Sequence, residues 1–564
     1  MLVETIIFLF FFLVIITSII GYGLLTGYFL RLNILNFNIG IFGLLGIFFC
    51  TLISYCTHLF FSHGIIHNSI INLFGVVLFL FFLVKKYNNY KKDFFNLALI
   101  TIILLPGLFI SKNHDDFPYY HLPYILNLIE HKLQFGIGNL NIAFRTPSSL
   151  FYLQSLFYLP YIKYYLVHCI GLIVLIFINS ILIDYIFYKK NDYFSYFIKI
   201  FSSVCFLFIN IQFWRLAEFG TDRAGQLISL IIFIIIFKIL NTKNRNLILH
   251  DTKLLTVFLL YLISIKSYFF SYILLFFIIF YILIKYNLIK KILLDANLFL
   301  LSIIFLITFA ITNVSNTGCI IYPLQLTCYE NFLWSVSRES IVELSQWYEI
   351  WSKAGAGPNF RIENPEIYIK GFNWIGGWID RYFFKKVTDT IGLIFVICAF
   401  YFFLIKCRSK YTKNKITYLP IYFVVLTLFL IWFFKHPDLR YGGFVLVSIL
   451  FFIPLSLYLS HYFMGSFKKK ILTIVIFLAL FSYSGRNIYR IIQDVNRSDN
   501  FKYTSFPYFH IEEVEYKEKI LGKNNVKFYL SKDPWCWATP SPCSTDDKIM
   551  IRDLSGYNLF MMSK

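Results

Sequence analysis

The chain has 564 residues, of which 58% are hydrophobic and only 14% charged, with a mean hydropathy of +0.68. A soluble domain carries about a quarter charged residues, so a large soluble protein is excluded and a polytopic helical membrane protein is expected. The net charge of +21 is not a nucleic-acid footprint. Most lysines lie in short clusters between apolar runs, where the positive-inside rule puts them.

The first apolar segment, from Met1 to about Leu25, carries Glu4, lacks a basic n-region and is followed by no small-residue cleavage site. It reads as a retained span rather than a cleaved signal. Spans are expected at 3–25, 39–61, 66–84, 94–111, 163–187, 194–213, 224–240, 254–266, 268–284, 297–312, 388–405, 418–434, 443–463 and 471–485. The stretch 254–284 reads either as one long kinked helix or as two crossings, and a basic cluster at each end favours two. No internal repeat is evident. The domain division expected is 1–485 for the membrane part and 486–564 for an external C-terminal domain.

Orientation follows from the lysines. Lys85-Lys86 with Lys91-Lys92, Lys189-Lys190, Lys238 to Lys253, Lys285 to Lys291, Lys406 to Lys415 and Lys468-Lys469-Lys470 all fall on one side, read as cytoplasmic. The other side receives the loops 112–162 and 313–387, the short loops Arg215 to Arg223 and His436 to Tyr441, and the tail. Both termini are then outside, in an inner (plasma) membrane.

Cys50, Cys56, Cys169, Cys205 and Cys398 fall in spans and Cys407 at a cytoplasmic edge. Cys319/Cys328 and Cys536/Cys543 form two close pairs in external segments, which reads as two disulfides. Zinc is the alternative, though neither spacing is C-x2-C. The 313–387 loop holds Trp334, Trp347, Trp351, Trp374 and Trp378, as an interfacial belt or a sugar-stacking platform. In the tail an amphipathic helix is expected at about 510–521 and a strand at Val526 to Leu530, giving a small α+β unit.

The residues able to do chemistry collect on the external face. Lys112-Asn-His-Asp-Asp-Phe-Pro-Tyr-Tyr-His121 opens the first large loop with two adjacent carboxylates, Asp115 and Asp116, flanked by His114, Tyr119, Tyr120 and His121. Glu218, Asp222 and Arg223 lie in a short loop, Lys266 ends a span, and Lys435-His-Pro-Asp-Leu-Arg-Tyr441 adds His436 and Arg440. Each has an ordinary reading: solvated loop for the acids, snorkelling for the lysine. Their convergence on one face points instead to an acceptor hydroxyl and a phosphate-bearing donor.

Asp115-Asp116 in the first large external loop resembles the acidic pair of the GT-C superfamily of polytopic membrane glycosyltransferases. The segments Tyr119-Tyr-His-Leu-Pro-Tyr124, Gly136-Ile-Gly-Asn-Leu-Asn141, Arg145-Thr-Pro-Ser-Ser-Leu-Phe-Tyr-Leu153, Gly318-Cys-Ile-Ile-Tyr-Pro323 and Pro437-Asp-Leu-Arg-Tyr441 look similar to an uncharacterised bacterial envelope branch of that group. The resemblance implies sugar transfer from a polyprenyl-phosphate donor to an external glycan or glycolipid acceptor. Asp115 or Asp116 would be the general base. By their placement in external loops, Arg223, Lys266 and Arg440 are expected to hold the donor phosphate, with Arg145 a further candidate. An acidic loop allows a divalent metal, but no ligand spacing demands one. The competing readings are an O-antigen-type polymerase or ligase, whose active loops would come later and be arginine-rich, and a lipid or polysaccharide transporter, which would carry polar groups near mid-bilayer.

Overall fold

Helices dominate the computed structural model, which describes residues 2–33, 37–111, 113–188, 193–218, 221–357, 360–404, 416–462, 469–496, 507–522 and 525–562. Among the described residues, 13 helices are long and apolar enough to cross a membrane, and a shorter apolar helix, Leu419–Lys435, lies between two of them. The expected spans are all there, in order. Lys112, Lys189-Lys190, Lys406 to Lys415 with Cys407, and Lys468 lie outside the described residues.

Two details settle how the chain turns. The stretch 254–284 is two spans, Arg245–Ile265 and Ser267–Lys285, with Lys266 between them in extended conformation (φ −155°, ψ 146°). Helix Ile65–Leu104 is continuous over 40 residues, yet the rings of Phe79 and Phe94 lie 5.6 Å apart. A straight helix would separate these positions by about 22 Å, so the segment turns sharply between Lys85 and Tyr90 and forms two spans, Ile65–Lys85 and Tyr90–Phe109.

The basic-cluster face is knitted together from distant segments. Lys253 pairs with Asp295 at 2.5 Å and donates to the Leu30 carbonyl at 2.9 Å. Lys238 pairs with Asp251 at 3.3 Å, and Asn241 donates to the Thr417 carbonyl at 3.2 Å. The opposite face gathers the segments expected to be external.

At the centre, the spans Val167–Ile186, Ile39–His58 and Thr221–Asn241 are 94%, 83% and 83% buried, whereas Ile65–Lys85 is only 17% buried and presents its side chains outward. Lipid tails are as apolar as Leu, so helix contacts rely on close backbone approach rather than hydrophobic burial. Gly46 supplies one such contact: a Cβ there would stand 1.8 Å from the Ile19 carbonyl oxygen. In the core, the amides of Asn179 and Asn210 satisfy each other at 2.8 and 3.0 Å, as buried polar groups must.

Beyond helix Lys469–Asn496, the described tail is made of strands. β1 (Tyr516–Leu521) pairs antiparallel with β2 (Val526–Ser531), β2 pairs parallel with β3 (Cys543–Ser544), and β4 (Ile549–Leu554) forms a hairpin with β5 (Tyr557–Met562). The strand expected at Val526 to Leu530 is present. The helix expected at about 510–521 is not: that segment enters β1. Gly522 (φ +75°) and Asn525 (φ +52°) adopt left-handed conformations, which turn the chain back and give the β1 backbone groups a partner strand. Both expected disulfides, Cys319–Cys328 and Cys536–Cys543, are formed.

The tail is stitched to the first large loop. His510 N–H donates to the Ser111 carbonyl at 3.3 Å, Trp537 N–H to Pro118 at 3.1 Å and Phe560 N–H to Phe135 at 2.8 Å. Ser541 N–H donates to the Glu130 carboxylate at 2.7 Å. Gly136 (φ +72°) sits beneath β5, where a Cβ would lie 2.2 Å from the Phe560 carbonyl oxygen.

Replacing Gly46 by Leu forces two helix backbones apart and is expected to cost at least about 1–3 kcal/mol. The monodisperse fraction of detergent-extracted protein should fall sharply. Gly392→Ala is the control, since a Cβ at Gly392 meets nothing within 4 Å.

Candidate functional site

Two adjacent aspartates open the first loop, and the backbone gives them opposite fates. His114 N–H donates to the Glu218 carbonyl at 2.7 Å, and Phe117 N–H to the His114 carbonyl at 2.9 Å. This turn leads into the single wide turn Phe117–His121. Phe117 is fully buried and packs on Phe509 at 5.1 Å. With that anchor fixed, Asp115 is exposed and Asp116 faces inward.

Asp116 meets Arg440. The Nη2 of Arg440 donates to Asp116 Oδ2 at 2.8 Å, and its Nε donates to Asp222 Oδ2 at 2.8 Å. Burial pushes the Asp116 carboxyl up, but the guanidinium more than reverses this and holds it well below the usual carboxylate range. The N–H of Asp116 donates to Nδ1 of His114 at 3.1 Å. That nitrogen is therefore unprotonated, and its 3.4 Å approach to Asp116 Oδ2 is a contact rather than an ion pair. Burial lowers the pKa of His114 and of His121, which favours the neutral form of both rings.

Arg440 is held by the loop that carries it. Asp438, buried, accepts from the N–H of Arg440 at 3.0 Å and from the Tyr382 hydroxyl at 2.6 Å. The indoles of Trp432 and Trp378 donate to the carbonyls of Asp438 and Pro437, each at 2.8 Å. Gln226 donates to the Arg440 carbonyl at 2.9 Å. Trp374 and Trp378, at 0% and 5% exposure, are thus structural. Trp351 lies 5.7 Å from the Arg440 guanidinium.

The remaining expected residues lie around this centre without pairing directly with it. The Lys266 ammonium lies 5.6 Å from the Tyr120 ring. Lys266 meets no carboxylate within 4 Å among the described residues. Burial lowers its pKa, Asp222 and Asp116 act to raise it, and Arg440 adds to the lowering. Arg145 donates to the Gly138 carbonyl at 3.1 Å. Lys266 and Arg145 line one cleft with Thr146, Ser264, Asn313 and Tyr322. It encloses about 340 Å³ including open solvent, carries no acidic side chain, and at its present width admits little beyond a water molecule. Arg223 is electrostatically coupled to Glu218, Arg215, Arg440 and Asp222, with no side-chain ion pair or hydrogen bond among the described residues. The convergence expected of Lys266, Arg223 and Arg440 is thus direct only for Arg440.

His436 turns toward the second large loop. Its ring lies 5.7 Å from Tyr441. Burial lowers its pKa to about 4, against an opposing pull from Glu349. Tyr119 stacks edge-on with Trp535 of the tail at 5.8 Å. The sequence reading missed Trp535, Asp438, Tyr382 and Gln226. Asp438 and Tyr382 lie in segments it noted, and their role follows only from contacts. Among the described residues no group of three His, Cys, Asp or Glu side chains could hold a metal ion. Asp116 and Asp222 are bridged by a guanidinium.

The fold is thus a polytopic helical membrane protein with a polar centre built on one face. Residues 5–447 match the family described as Domain of unknown function (DUF8201). That is well over half of the chain, which therefore belongs to this family. No curated protein and no solved structure matches it. The match takes in Asp116, Asp222, Lys266 and Arg440 and stops short of the strand-bearing tail.

Arg440→Gln leaves two carboxylates facing each other without a partner. It should destabilise the protein by about 1–3 kcal/mol, read as a lower apparent melting temperature at pH 7. Adding Asp222→Asn should restore part of that loss, because the cost is the unpaired charge. A carboxyl with a depressed folded-state pKa contributes stability above its unfolded value and loses it as pH falls toward the folded one. Acidification from pH 7 to 5 should therefore leave the Asp116–Arg440 contribution intact.

Proposed function

We propose that the protein is a membrane glycosyltransferase that moves a sugar from a polyprenyl-phosphate donor to a cell-envelope glycan or glycolipid acceptor. The observation that carries this reading is one carboxylate, Asp116, whose charge acts on Lys266, together with a cleft whose two cations, Lys266 and Arg145, meet no carboxylate within 4 Å among the described residues. A base and an anion site at one depth are what such a transfer requires.

In the proposed step the acceptor hydroxyl gives its proton to Asp116. Its oxygen forms a bond to the anomeric carbon, while the bond from that carbon to the donor phosphate oxygen breaks. The electron pair leaves with the phosphate, whose charge Lys266 and Arg145 offset by charge-assisted hydrogen bonds. The cleft must widen for the headgroup to enter, and its wall of Ile320, Ile321 and Tyr322 belongs to the second large loop. On this reading the face bearing the site is external.

Asp116→Asn should reduce transfer at least about a hundredfold, the usual scale for losing a general base. Asp115→Asn, at an exposed position, should change it little. The measurement is the mass profile of the envelope glycan in cells carrying each variant at equal membrane level. An unchanged glycan with Asp116→Asn would overturn the assignment. Lys266→Met should weaken donor use by roughly ten- to hundredfold, seen as a raised KM for the lipid donor.

A further inference from the structure

A second charged cluster gathers about Glu218 and Trp214, and none of its residues lines the Lys266 cleft. Its centre is Trp214, at the start of the turn Trp214–Glu218. The guanidinium carbons of Arg215, Arg486 and Arg490 stand 6.0, 6.0 and 5.8 Å from its ring. No two of those carbons can then be more than about 12 Å apart, well inside the range where like charges repel at a membrane boundary.

Their compensation is thin. Glu218 accepts from Arg215 through both oxygens, at 2.9 and 2.7 Å, and also pairs with Arg490. One carboxylate thus serves two arginines. Arg486 donates to the Ile211 carbonyl at 2.9 Å and meets no carboxylate within 4 Å among the described residues. Arg223 likewise meets none. Asp115 acts on Arg215 only at longer range, and Asp222 is already paired with Arg440. The Tyr483 hydroxyl, fully buried beside Gly107, has no hydrogen-bond partner among the described residues.

The cluster borders an apolar surface. On the helix that carries Arg486 and Arg490, Ile488, Tyr489, Ile492 and Val495 are 46%, 62%, 52% and 51% exposed. An apolar outward strip beside a tryptophan and a row of arginines is a membrane–water boundary. Guanidinium groups match phosphate oxygens in a bidentate fork, and a phosphate supplies the charge this cluster lacks.

We propose that the Arg215, Arg486 and Arg490 cluster around Trp214 binds the phosphate of a lipid headgroup, at a site separate from the Asp116 centre. The ligand chemistry is a phosphate ester, and the bordering apolar strip assigns its source to a lipid rather than to soluble phosphate. The inference stands apart from the transferase reading, because lipid retention is measured without turnover.

The test uses the full chain, purified in detergent and exchanged into mixed phosphatidylglycerol and phosphatidylcholine. Retained lipid is counted by native mass spectrometry. Wild type should keep phosphatidylglycerol in preference to phosphatidylcholine, and Arg486→Gln should lower that retention roughly tenfold, the scale of one charge-assisted contact. If Arg486→Gln does not give monodisperse protein, Arg215→Gln carries the same readout. Equal retention of the two lipids by wild type, or wild-type retention by a folded variant, overturns the site. In a parallel arm, inorganic phosphate alone is titrated against the melting temperature. Stabilisation by phosphate that the variants lose, without lipid preference, would keep the phosphate site and overturn its lipid source.

Discussion

One guanidinium holds this face of the protein together. Arg440 donates to Asp116 from the first large loop and to Asp222 from the first turn of a central span, each at 2.8 Å. The three residues come from segments more than 100 positions apart in sequence, and the side chains involved are only 10–31% exposed. Charges withdrawn from water this far need partners of good geometry. That requirement fixes the relative placement of the loops, and it explains why Asp438, Tyr382, Trp432, Trp378 and Gln226 all serve to hold the backbone that carries Arg440. The loop is built as a rigid mount for one side chain.

Much of the membrane architecture was legible in the sequence, because crossing a bilayer demands about 20 apolar residues and basic residues mark one side. Both constraints act locally and survive in the chain as composition. The site was legible only in part. Asp115 and Asp116 are indistinguishable as letters; the buried anchor Phe117 and the hydrogen bond from His114 to Glu218 decide which one faces inward. Lys266 stood out because a lysine at that span end is costly, whereas its proximity to Arg145 depends on how the first loop folds back through Gly136 and Gly138. The 510–521 segment failed for a different reason. Its alternating charges suit a helix face, but Gly522 and Asn525 supply a turn that offers β2 as a partner, and tertiary pairing overrides local preference.

The tail shows how a segment outside the family match is drawn into the same centre. Its backbone donates to Ser111, Pro118 and Phe135, residues that flank or follow the acidic pair. Trp535 then stands against Tyr119, three positions from Asp116. The first loop is therefore sandwiched between the membrane helices and the tail. Its conformation is set from both sides, and small changes in the tail reach the acidic turn through direct backbone hydrogen bonds.

The Arg440 clamp also constrains how Asp116 can work. A carboxylate held well below its usual pKa is a weak base, since efficient proton transfer wants a pKa near the working pH. Burial alone pushes the same carboxyl the other way. Asp116 therefore sits between two opposed influences, and the balance turns on how much of the guanidinium it keeps. On the transferase reading, an anionic donor settling beside Lys266 enters the field of Arg440 and competes with Asp116 for its donors. Any share it takes raises the basicity of Asp116 when the donor is in place and an acceptor proton has somewhere useful to go. Without donor, the carboxylate stays neutralised by Arg440, and a water molecule in the same position meets a poor base. On that reading the ion pair that stabilises the resting face would also keep the centre quiet until the anion arrives.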